Sequence, residues 1–102
     1  MKYLNETNSY ESMVVLSSNC TELELKTIAH SYAQQLKKLG ASDISVVSRG
    51  RRDFAYTTKN AKIGYFVEMY FRSSPQILPI YQTKLKLDKN VIRSLITNLD
   101  SN

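Results

Sequence analysis

Residues 21–40 carry a helix's start signal, its buried face and its stop signal in one unbroken stretch. Thr21-Glu22-Leu23-Glu24 forms a capping box, in which the threonine hydroxyl and the Glu24 carboxylate each take a backbone N–H that a helix start leaves free. Leu25, Ile28, Ala29, Tyr32, Leu36 and Leu39 then recur at three- and four-residue intervals, so they line one face. Gly40 follows at the place of a C-terminal cap. A helix is fixed here, and the other elements must be arranged around it.

Before it, residues 1–9 are polar and read as a flexible tail, and residues 10–17 (YESMVVLS) read as a first strand. After it, residues 44–58 are extended, apolar at first and then basic. Lys59-Asn60-Ala61-Lys62 turns the chain into a third strand over residues 64–71 (GYFVEMYF). Ser74-Pro75 opens a second helix, because proline suits the first helical position. Pro79 conflicts with a helix begun there, since an interior proline removes a hydrogen bond and clashes with the turn before it. That helix is therefore kinked at Pro79 or starts near Leu78, with Ile80, Tyr81, Leu85 and Leu87 as its stripe. Residues 91–99 (VIRSLITNL) supply a fourth strand.

The order βαββαβ is the split βαβ arrangement of an α+β, ferredoxin-like domain. It predicts a four-stranded antiparallel sheet with two helices on one face, spanning residues 10–99, and a short tail at 100–102. The other face is uncovered unless a partner covers it. The third strand is apolar on both sides: Tyr65, Val67, Met69 and Phe71 on one, Phe66 and Tyr70 on the other. Phe66, Tyr70 and Val91 are therefore candidates for contact with a protein partner.

Fourteen Lys and Arg against nine Asp and Glu give a net charge of +5, which favours an anionic partner such as RNA or a membrane surface. No run of the sequence approaches membrane-spanning length, and the N-terminus lacks the apolar core of a secretory signal. Cys20 is the single cysteine, so an internal disulfide and a cysteine-rich metal site are both ruled out. Asn5-Glu6-Thr7 and Asn19-Cys20-Thr21 match the glycosylation pattern by accident. Cys20 precedes a helix start, which can favour thiolate, but packing on Leu25 as a hydrophobic staple is the better reading. His30 has no second histidine or cysteine beside it, and Asp43, Asp53, Glu68 and Asp88 form no carboxylate pair. They read as surface or salt-bridge groups. No catalytic residue, cofactor, metal or small-molecule substrate is called for.

Arg49-Gly50-Arg51-Arg52-Asp53-Phe54-Ala55-Tyr56 sets three arginines beside two aromatics. On a regular strand Arg49, Arg51 and Asp53 point one way and Arg52, Phe54 and Tyr56 the other. Guanidinium groups fork onto phosphates and stack on bases, so the cluster suits RNA. A solvated edge that resists aggregation explains it equally well from composition alone. Lys59 and Lys62 extend the basic surface, and Arg93 on the last strand can join it.

Gly50-Arg51-Arg52-x-Phe54-Ala55-Tyr56 resembles the signature of bacterial-type small-subunit ribosomal protein S-six (S6). Tyr10-Glu11, Gly64-Tyr65-Phe66-Val67 and Leu85-Lys86-Leu87-Asp88-x-x-Val91-Ile92-Arg93 fall in the same family's order and spacing. Arg49-Gly50 and Val91-Ile92-Arg93 look most like its cyanobacterial and plastid branch. The resemblance covers residues 10–99 and implies a non-enzymatic ribosomal protein. Such a protein binds the central domain of small-subunit rRNA beside ribosomal protein S-eighteen (S18). It carries rRNA contact over to Arg51, Arg52, Tyr56 and Arg93; Arg49, Lys59 and Lys62 are added on charge and proximity. Asp53 breaks the basic run, Thr57 stands where many members have proline, and Pro79 interrupts the second helix. Abundant Lys, Asn, Ser and Ile and a short N-terminus suit a plastid stroma, with a cyanobacterial cytoplasm as the alternative.

Two rivals share the fold. An RNA-recognition motif binding single-stranded RNA needs a small residue and then an aromatic where Phe66 and Val67 stand. An acylphosphatase-like hydrolase resembles the fold too, but its anion loop is replaced by Ser17-Ser18-Asn19-Cys20, without glycine or arginine.

Overall fold

A computed structural model describes residues 6–53 and 63–100. β1 (Asn8–Ser17), α1 (Glu22–Lys38), β2 (Ser42–Asp53), β3 (Ile63–Ser73), α2 (Leu78–Leu87) and β4 (Val91–Asn98) follow in that order. The strands form one antiparallel sheet in the order β2-β3-β1-β4. This is the expected βαββαβ arrangement.

α1 forms for the reasons its sequence gives. Glu24 N–H donates to Thr21 Oγ1 at 3.1 Å and Thr21 N–H to Glu24 Oε1 at 2.7 Å, closing the capping box. At the other end Gly40 takes φ +100°, the left-handed conformation that glycine adopts without a Cβ clash. The Gly40 N–H then reaches Lys37 O at 3.1 Å, and the Ala41 N–H reaches Leu36 O at 2.9 Å. These two bonds satisfy carbonyls that the helix end would leave free.

Pro79 resolves to the later start. A 3-10 turn, Pro75–Ile77, leads into α2, which begins at Leu78 with Pro79 in its first turn. A first-turn residue has no intrahelical acceptor for its N–H, so proline loses nothing there.

β1 begins at Asn8, two residues ahead of the expected start at Tyr10. Asn8 and Ser9 pair with Ser73 and Arg72. The Arg72 guanidinium donates to Ser9 Oγ at 2.7 Å and to Thr7 Oγ1 at 3.1 Å, which ties this end of the chain to β3. Ser9 N–H also donates to Asp100 Oδ2 at 2.8 Å, drawing the chain past β4 into the same corner.

Residues directly opposite each other in the ladder share a face. Tyr10, Ser12, Val14 and Leu16 of β1 stand opposite Phe71, Met69, Val67 and Tyr65 of β3. This is the helix-side face, where Tyr10, Val14, Leu16, Val67, Met69 and Phe71 join Tyr32 and Leu36 of α1 and Tyr81 and Leu85 of α2 in one core. Tyr81 lies at its centre, with ring centroids 6.2 Å from Tyr32 and 5.9 Å from Phe71. Its hydroxyl and that of Ser12, both buried, are hydrogen-bonded at 2.9 Å, so neither polar group is left unsatisfied.

Three residues set aside in the sequence have structural work. Asp88 is not simply a solvated carboxylate. It is half-buried, accepts from Tyr32 Oη at 2.6 Å and from Asn90 N–H at 2.9 Å, and fastens α1 to the turn before β4. Burial, aided by the negative charges of Glu24 and Asp88, pushes the Cys20 thiol up, which opposes thiolate formation. Glu68 is an ion-pair partner.

Candidate nucleic-acid interface

β2 is an edge strand, and its pairing with β3 slips by one residue between Ser48 and Gly50. Ser48 stands opposite Val67, whereas Gly50 stands opposite Phe66, so Arg49 is the extra residue of a β-bulge. Gly50 takes φ +81°, a left-handed conformation that side chains with a Cβ resist. The glycine inside a strand was the sequence's only sign of this bulge.

The bulge overturns the expected alternation of the arginines. Arg51 pairs with Tyr65 and so lies on the helix-side face, while Arg52 pairs with Gly64 and lies on the open face. Arg49 and Arg51 therefore do not point the same way. The Arg49 Nε donates to Glu68 Oε1 at 2.8 Å, and Glu68 is an open-face residue opposite Met13. Tyr70 Oη donates to the same carboxylate oxygen at 3.1 Å. The hydrogen bond from Arg49 holds the Glu68 carboxyl below its ordinary range, and the pair in turn raises the Arg49 guanidinium. Arg51 and Arg52 are exposed and form no ion pair with a described residue. Among the described residues, Arg52 Nε reaches the carbonyl of Arg49, at 3.4 Å.

Arg93 lies on the opposite edge strand, β4, across from Val15. Gly50, Phe66, Val15 and Arg93 thus form one cross-strand row over the open face. Three strand spacings separate β2 from β4, roughly 14 Å. The bulge therefore brings Arg52 onto the open face that Arg49 shares with Arg93, with apolar ground between. Met13 and Leu95 continue that ground in the next row, and Leu95 is 56% exposed. Val15 is buried although no described helix covers this face, with Phe66 and Arg93 flanking it in the ladder.

Among the partner candidates, Phe66 and Tyr70 are half-buried on the open face. Val91 is placed differently: it pairs with Leu16 and packs at the margin of the core on the helix side. Tyr56, Lys59 and Lys62 lie outside the described residues, as do Phe54 and Thr57. Sequence reasoning missed the ion pair between Arg49 and Glu68, which are 19 residues apart in the chain. It also missed Met13 and Leu95, whose shared face depends on pairing distant strands. Among the described residues no cluster of His, Cys, Asp and Glu is arranged to hold a metal ion.

The chain is similar to known proteins over nearly its whole length. Residues 9–98 match the family model described as Ribosomal protein S6. Small ribosomal subunit protein bS6c of Trieres chinensis is 44% identical over 95 residues, covering 93% of this chain and 99% of that protein. Small ribosomal subunit protein bS6 of a Picosynechococcus strain is 28% identical, covering 93% of this chain and 83% of that one. The crystal structure of 30S ribosomal protein S6 from Thermotoga maritima superposes with a TM-score of 0.83 at 24% identity. That alignment covers 91% of this chain and 88% of the other, and it independently supports the ferredoxin-like fold.

Proposed function

Because the chain belongs to the ribosomal protein S6 family, a non-enzymatic structural family of the small ribosomal subunit, we propose that Arg51 and Arg52 hold the phosphates of small-subunit rRNA. Family membership associates the chain with the ribosome of a plastid or a cyanobacterial cytoplasm. The finer reading is that it binds the central domain of that rRNA beside S18 and helps order it during assembly, in a plastid. The 44% identity to a plastid-type relative supports the plastid.

One observation carries the residue assignment. Arg51 and Arg52 are exposed on an edge strand, and neither is paired with a described carboxylate. A guanidinium that is already solvated and unpaired can take a phosphate without first breaking an ion pair. Arg49 already donates its Nε to Glu68, which offsets its charge and ranks it behind them. Tyr56, Lys59 and Lys62 enter the proposal on sequence alone. Arg93 enters as the cation of the far edge, and the apolar ground before it, with Phe66 and Tyr70, is the surface offered to S18.

The test is binding to a central-domain rRNA fragment over a series of salt concentrations, together with co-sedimentation with small subunits. Each arginine–phosphate contact releases counterions, so affinity falls as salt rises. Arg52→Ala weakens binding and lowers the salt slope by about one unit if that side chain holds one phosphate. Unchanged affinity and slope would remove Arg52 from the interface.

A further inference from the structure

We propose that the groove between α1 and the β2–β3 side of the sheet receives one unstacked base of single-stranded RNA. This site rests on the rRNA-binding reading above and deepens it, adding a base pocket to a set of phosphate contacts.

The groove follows from small side chains on α1. Ala29 and Ala33, one turn apart, face β2 and leave a cavity of about 560 Å³. Its opposite wall is Val46, Ser48, Tyr65 and Val67. Val46 belongs to the helix-side face, opposite Met69, yet it is 43% exposed because α1 does not close over it. The volume and mainly apolar lining fall in the range of small-molecule sites.

The rim distinguishes between occupants. Lys26 and His30 stand one turn apart along the α1 side, with Glu22 as the acidic member of the lining. Arg51 stands beside Tyr65 on the same face of the sheet. It is there only because the bulge at Arg49 shifts the register; a regular strand would turn Arg51 to the open face. An apolar slot with an aromatic wall, Lys26 in its lining and Arg51 paired beside that wall suits a nucleotide. The base enters against Tyr65, and Lys26 and Arg51 meet the phosphates on either side. His30 adds its imidazole ring to the α1 side of the mouth, with its Nε2 hydrogen-bonded to Gln34 Nε2 at 3.5 Å. An apolar segment of a protein would use the lining but not the cations. The slot also adjoins the arginine that leads the rRNA assignment, so one strand of RNA can engage both.

The experiment follows backbone amide resonances of the full chain during titration with a uridine hexaribonucleotide and, separately, with a blunt RNA duplex. The hexamer is expected to move the amides of Ala29, Ala33, Val46 and Tyr65, and the duplex to leave them in place. Ala33→Leu fills the groove with a good helix former and is expected to weaken hexamer binding about tenfold. Tyr65→Leu keeps an apolar wall but removes the stacking ring, and a similar loss is expected; each variant's amide spectrum checks that it folds. The same variants are measured on the central-domain rRNA fragment. Wild-type rRNA affinity in both, with no hexamer shifts in the groove, overturns the base pocket and leaves the rRNA reading standing. Failure of the wild-type chain to bind the fragment sinks the rRNA reading instead. Shifts in the groove on adding S18 but not the hexamer also overturn the pocket, in favour of a protein occupant.

Discussion

Arg49, Arg51 and Arg52 differ in what surrounds them more than in their chemistry. Arg49 donates to Glu68 at 2.8 Å, while Arg51 and Arg52 stand free of described carboxylates. The hydrogen bond from Arg49 holds the Glu68 carboxyl below its ordinary value of 4.5, with the Tyr70 hydroxyl adding to the effect. A carboxyl depressed in the folded state stabilises the protein above its unfolded titration point and loses that stabilisation as pH falls through the folded one. Glu68→Gln is therefore expected to lower the urea midpoint at pH 7, by a small amount because Arg49 is half-exposed. The gap from wild type should close as pH drops below 4.5. A gap that stayed constant down to pH 2.5 would show that the charge on Glu68 is not what matters. None of this was readable along the chain. The arginine cluster was legible as a basic run; which of its members is already neutralised depends on a strand 19 residues away.

At the scale of elements, α1 was fully legible because its capping box, stripe and terminal glycine are local signals that agree. α2 was legible except for its start, which two proline positions left open and which the 3-10 turn settles at Leu78. β2 was the least legible, since periodicity assumes an unbroken strand and the bulge breaks it. That bulge depends on Gly50 at φ +81°. A Cβ built there meets no atom within 4 Å, so the penalty for substitution is backbone strain rather than a clash. Gly50→Ala is expected to cost about 1–2 kcal/mol, read as a lower urea midpoint with an unchanged slope. Stability equal to wild type would mean that the strand regularises cheaply. In that case Arg51 and Arg52 would exchange faces, which the altered pattern of cross-strand contacts in an amide spectrum would reveal.

For the whole molecule, the open face of the sheet is the side that neither helix packs against. Met13, Phe66 and Leu95 form its apolar ground, with Arg49 and Arg52 at one edge and Arg93 at the other. Leu95 is 56% exposed and outside the core, so Leu95→Asp should fold normally. If this face docks S18, the charge buried at that contact should reduce incorporation into small subunits at least tenfold. Normal incorporation would show that the face stays in solvent. The sequence by itself determined the order of elements, the two-layer fold, the buried set of α1 and the family, because each rests on local patterning or on residue types at fixed spacing. Tertiary structure alone decided which face each arginine occupies, that Arg49 is paired and that Asp88 fastens α1. It also left a groove beside Ala29 and Ala33. The physical reason is shared: ladder register, ion pairs and cavities are set between strands and helices far apart in the chain, where a one-residue bulge reverses every side chain that follows it.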